Sequence, residues 1–95
     1  MWGVTEDLPA DVRDTLAQLF AECGTALEEE DIATARETID SARTVATNKL
    51  PEGEVRAHIL HGCGRVAKLL DPDDDIEADA AGEYVAAMQR RLPEE

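Results

Sequence analysis

His58, His61 and Cys63 fall within six residues of one another, and Cys23 supplies a second thiol. Imidazole and thiolate are the ligands that zinc prefers, so chemistry is sought here first. Helical geometry argues against one shared site. At about 100° per residue, Cys63 falls on the apolar stripe of its helix and His61 on the far side. A single tetrahedral ion cannot easily collect both. Each cysteine lies on an apolar stripe and reads as a small buried hydrophobe. A reactive thiol needs an exposed, electropositive setting that neither position offers.

Asp71-Pro72-Asp73-Asp74-Asp75 offers carboxylates at alternate positions, as a calcium loop does. The sixth position is Ile76, where such a loop needs glycine, and the twelfth is Gly82, where it needs glutamate. The segment reads instead as a solvated turn, with Asp75 capping the helix that follows. Ser41 is the only serine and has no histidine near it in sequence, so serine–histidine catalysis lacks support. No glycine-rich phosphate loop is present. With no nucleophile, acid–base pair, cofactor loop or metal set to name, the expectation is a protein that is not an enzyme.

One constellation does stand out. His58, His61, Arg65 and Lys68 share a helix face at spacings of three, four and three. In a chain of formal charge −13 this is the one concentrated basic stripe. Glu54 and the acidic flanks of the second or fourth helix could cover it within the chain. Left uncovered, it is a docking face for an acidic partner, including a second copy of this chain. Trp2, on an arm with no assured place in a small core, joins that candidate face.

The charge balance narrows the partners. There are 22 acidic residues against nine basic ones, and only Lys49 and Lys68 are lysine. Eleven acids precede Pro51 and eleven lie from it onward, so the acidity covers the surface evenly. Naked nucleic acid is excluded, because phosphate binding draws its affinity from basic residues. Hydrated cations are the expected companions of such a surface. In this composition the chain resembles small proteins of halophilic archaea, whose carboxylates hold water while molar salt screens their repulsion. No run approaches the ~18 apolar residues of a membrane span. The N-terminus has no basic region leading an apolar one. A cytoplasmic location is expected.

The elements that carry these residues are marked out by proline. Leu-Pro occurs at Leu8-Pro9, Leu50-Pro51 and Leu92-Pro93, at intervals of 42 residues. Proline opens a helix but rarely sits inside one. The marks predict an arm over 1–8, helical hairpins over 9–50 and 51–92, and a frayed tail over 93–95. Val12, Leu16, Leu19, Phe20, Cys23 and Leu27 form the stripe of a first helix. A second helix, capped by Asp31, carries a thin stripe of Ile32, Ala35, Ile39, Ala42 and Ala46, with an Arg36–Asp40 pair on its far side. Val55, Ile59, Cys63, Val66 and Leu70 line a third. Gly62 and Gly64 inside it predict a close crossing, placed at Cys23-Gly24. A fourth, from about Ile76 to Leu92, is expected to face inward through Ile76, Ala80, Tyr84, Ala87 and Met88, widened by Ala81, Val85 and Leu92.

The halves align. Leu16 and Phe20 match Ile59 and Cys63, while Ala35, Ile39 and Ala42 match Ala80, Tyr84 and Ala87, an offset that drifts from 43 to 45. In Leu19, Cys23, Asp31, Ala35, Ile39 and Ala42, and again in Ala81, Val85, Met88 and Pro93, the hairpins distantly resemble tetratricopeptide repeats. That resemblance implies hairpin packing only, since the period is near 42 rather than about 34. The reading is an all-α, four-helix domain of two αα-hairpins, either a bundle or a short repeat-like stack. Its expected role is a salt-adapted protein–protein interaction module that forms a homodimer or binds another protein. A ligand- or metal-binding protein using the His58/His61 region is the alternative. The alanine stripes of the second and fourth helices offer further surface for a partner helix.

Overall fold

The computed structural model describes residues 10–73 and 75–92. They form four helices, α1 (Ala10–Glu28), α2 (Ile32–Lys49), α3 (Glu54–Leu69) and α4 (Ala78–Arg91). The arm with Trp2 and Val4, and the tail over 93–95, lie outside the described residues.

Each helix stops for a local reason. Glu28 ends α1, and the chain reverses in three residues. Glu30 donates its N–H to the Leu27 carbonyl (3.1 Å) and Asp31 donates to that of Ala26 (2.8 Å), the paired bonds that close a helix C-terminus. This closure needs a left-handed residue, and Glu30 supplies it at φ 61°. Asp31 then caps α2, its carboxylate accepting from the Thr34 N–H (3.2 Å). The acid that crowds the end of α1 thus also starts α2. Leu50 and Leu92 follow α2 and α4 in extended conformation, ψ 139° and 126°. A following proline forces the residue before it out of helical geometry, and each leucine turns into the core. Gly53, at φ 156°, opens α3 in a region that other residues avoid.

Leu16, Phe20, Cys23 and Leu27 of α1 are buried, as are Ile59, Cys63, Val66 and Leu70 of α3 and its C-cap, each 43 residues on. From α2 come Ala35, Ile39, Ala42 and Ala46; from α4, Ala81, Val85 and Met88, with Leu92 just past its end, each 46 residues on. The register of α4 therefore corrects the expected one. Ile76 precedes the helix and is 42% exposed, while Ala80, Tyr84 and Ala87 lie half-buried at the edge. The two candidate stripes of α4 sit about 100° apart, and the larger side chains of Ile76 and Tyr84 favour the wrong one. Asp75 does not cap α4. Glu77 holds that position without a side-chain bond, and the loop is tied down by the Glu77 N–H donating to the Leu69 carbonyl (3.0 Å).

α1 packs on α2 and α4, and α3 packs on α2 and α4. The ring is closed, as in an up-down-up-down bundle. A repeat stack would leave the first and last helices apart, so the tetratricopeptide likeness does not extend to the architecture. The tight crossing also differs from the expected one. A Cβ on Gly62 would lie 2.5 Å from the Met88 Sδ, whereas one on Gly24 would meet nothing within 4 Å. Gly62 is thus where α3 admits α4, not α1. The alanine stripe of α2 is consumed by the same core, with Ala35, Ala42 and Ala46 fully buried.

Candidate functional site

Helix α3 buries one face and turns its opposite face to solvent. Ile59, Cys63 and Val66 point inward, so residues half a turn away must point out. His58, His61, Arg65 and Lys68 are all exposed. Their register against α4 is set by two contacts. The Arg91 guanidinium lies 3.1 Å from the His58 Nε2. Arg65 stands over the Tyr84 ring, 5.9 Å from its centroid, in reach of a cation–π attraction. An arginine can only donate, so the His58 Nε2 is the acceptor in this contact. The partner of His58 is therefore a cation from α4 and not Glu54.

The covering of this stripe by the chain's own acids does not occur among the described residues. Their one ion pair within 4 Å is Arg13–Asp14 at 2.9 Å, on α1 and away from α3. The expected Arg36–Asp40 pair on α2 does not close either. Arg91 instead adds positive charge to the edge of the stripe, and Arg90, exposed beside it, adds more. Sequence spacing found the four residues of α3. It could not find Arg91, whose place depends on how α4 registers against α3.

His58 and His61 are exposed, whereas Cys63 and Cys23 are fully buried, so the imidazoles and thiols do not converge. Among the described residues no group of three or more His, Cys, Asp or Glu side chains is placed to hold a metal ion. The Cys23 Sγ donates to the Ala35 carbonyl at 3.5 Å. Burial pushes both thiols up. That of Cys63 rises to about 12, with the charge of Arg43 pulling back and Cys23 adding to the rise. Such thiols hold their protons at neutral pH and are neither nucleophiles nor ligands. The aspartate turn is closed by the Asp73 N–H donating to the Asp71 carboxylate (2.9 Å), an arrangement within the turn itself.

Two of the surface concavities bear on α3 and α4. A groove of about 550 Å³ between α2 and α3 has Ile39 and Ala67 on its floor and both Arg36 and Asp40 on its walls. A trough of about 580 Å³ between α1 and α4 is floored by Gly24, Leu27, Gly82 and Val85 and rimmed by Glu28, Asp79 and Glu83. The first carries mixed charge. The second carries acid alone. No helix among the described residues is long and apolar enough to cross a membrane. A family model described as a domain of unknown function (DUF8101) matches residues 1–94. No curated protein and no solved structure matches the chain.

Proposed function

The chain belongs to that family of unknown function, and we propose that it is a small, salt-adapted, cytoplasmic interaction module that binds protein and performs no catalysis. Its docking face is the outer side of α3, with His58, His61, Arg65 and Lys68, and it takes an acidic protein surface. One observation carries this reading. Four basic side chains stand exposed in a row, without a carboxylate partner among the described residues, on a chain with 22 acids to spare. Opposite charge nearby would ordinarily be drawn to such a row, because screened attraction still favours close pairs. Complementary potential steers a partner and sets its orientation. The surface of this protein is itself acidic, so self-association falls within the same reading. A metal or small-molecule site at His58 and His61 draws no support from their surroundings, since His58 is engaged with Arg91 and the thiols point elsewhere.

The test compares three immobilised proteins in molar KCl: wild type, Arg65→Glu with Lys68→Glu, and a control with Arg36→Glu and Arg43→Glu on α2. A protein captured by wild type and control but not by the α3 variant is identified, purified and titrated. It should be acidic and bind the α3 variant roughly tenfold or more weakly. Capture that survives reversal of the α3 charges would sink the proposal.

A further inference from the structure

We propose that the outer ridge of α4 pairs antiparallel with the same ridge of a second copy of this chain, about a two-fold axis that crosses the ridge at the level between Ala86 and Ala87. The inference goes beyond the docking role of α3 and does not depend on it. Ala81, Val85 and Met88 turn α4 to the core. At about 100° per residue, Asp79, Glu83 and Arg90 then fall along the opposite, outermost line of the helix. All three are exposed, and none joins an ion pair among the described residues. Ala86 and Ala87 flank the middle of that line and share a shallow concavity of about 550 Å³ with Glu83, Tyr84 and Arg90.

Charge selects both the partner and its direction. Glu83 and Arg90 are seven residues apart, and only side chains three or four apart meet along one helix. The two therefore do not neutralise each other within the chain. Asp79 and Glu83 are four apart, so like charges are neighbours in the first half of the ridge. The level between Ala86 and Ala87 lies midway between Glu83 and Arg90. Turning a second α4 end for end about that level sets Arg90 of each copy against Glu83 of the other, with Asp79 one turn further on. A parallel pairing would set Glu83 against Glu83 and Arg90 against Arg90. Among the four helices described, only α4 offers this match. The outermost line of α1 carries acid in both halves, at Asp14 and Glu22; that of α2 carries Glu37 and no base; that of α3 is basic from His58 to Lys68. The alanines at the crossing let the two backbones approach, and Tyr84, half-buried at the edge of the ridge, adds apolar surface. Helix α4 spans 14 residues, about 21 Å. The contact is therefore small, and the dimer is a weak one that forms at micromolar concentration or above.

Charge reversal tests this with the full chain. Mass is read by sedimentation equilibrium in KCl from micromolar to millimolar concentration, and helicity by circular dichroism. Wild type should associate toward the mass of two chains. Glu83→Arg and Arg90→Glu, each alone, should weaken association roughly tenfold or more, because like charges then face each other twice across the axis. Two rescues should follow. Both substitutions in one chain restore opposite charges across the axis at the net charge of wild type, and that chain should dimerise again. The two single variants mixed in equal amounts should form a mixed pair. Arg65→Glu with Lys68→Glu should leave the dimer as it is in wild type. A wild-type mass of one chain up to millimolar concentration overturns the proposal, as do single variants that associate like wild type. Helical variants that neither rescue restores overturn it too. If Arg90→Glu costs helicity by opposing the helix dipole, Arg90→Gln and Glu83→Gln replace the reversals, and association unchanged in both would count against the dimer. Association lost in the α3 variant but kept in the α4 variants would overturn pairing through α4 and leave the docking face on α3 as the site of self-association.

Discussion

At the scale of single residues, burial decides chemistry. His61 and Cys63 are two positions apart, yet one is exposed and the other sealed in the core. That separation follows from helical geometry and was legible from spacing alone. The partners of His58 and Gly62 were not, since Arg91 and Met88 come from a helix about 30 residues on. Cys63 also carries a pH dependence. Below about pH 9 the thiol is neutral in folded and unfolded chains, so its contribution to stability is intact. Above pH 9 the unfolded chain releases the proton while the fold retains it to about 12. Stability is then lost by about 1.4 kcal/mol per pH unit for this group. Cys63→Ala should flatten the fall of the urea midpoint between pH 9 and 10.5 relative to wild type. Equal slopes would mean that the thiol ionises as readily inside as out.

At the scale of elements, the ends of the helices matter more than their middles. The stripes of α1, α2 and α3 were readable as periodicity because their large apolar residues recur on one face. The stripe of α4 was misread because its largest side chain, Tyr84, lies at the edge, where its ring meets Arg65. The acid run at the α1–α2 turn holds a further consequence. Glu30 sits where glycine is favoured, left-handed and at the negative end of a helix dipole. Glu30→Gly relieves about 1–2 kcal/mol of backbone strain and gives back part of it as unfolded-chain entropy. The variant should be more stable by about 0.5–1 kcal/mol, read from the denaturant midpoint. Glu30→Ala removes the charge but keeps the strain. A glycine variant no more stable than the alanine variant would show that the turn is not strained.

At the scale of the whole molecule, charge and core oppose each other. Among the described residues the core leans on alanine and on one large aromatic, Phe20, and it is modest for a chain of 95 residues. Thirteen excess negative charges repel most when the chain is compact. Salt shortens their reach from about 10 Å at 0.1 M to about 3 Å at 1 M. The melting temperature should therefore rise with KCl. A flat or falling curve up to molar salt would remove the case for salt adaptation.

The all-α class, the number of helices, the hinge at Leu50-Pro51 and the basic row on α3 were determined by sequence alone. Each depends on local rules: the 3.6-residue period, the geometry of proline, and the spacing of charge on one face. Tertiary structure decided what local rules do not encode. It closed α1 onto α4, making a bundle from two hairpins that could as well have stacked. It chose between two stripes of α4 that differ by about 100°, burying Ala81 and Val85 and leaving Ala80, Tyr84 and Ala87 at the edge. Among the described residues it also left the α3 stripe without a carboxylate partner and set an acidic trough on the far flank of α4. Both are consequences of which helices touch, and contact between distant segments is the quantity that periodicity does not record.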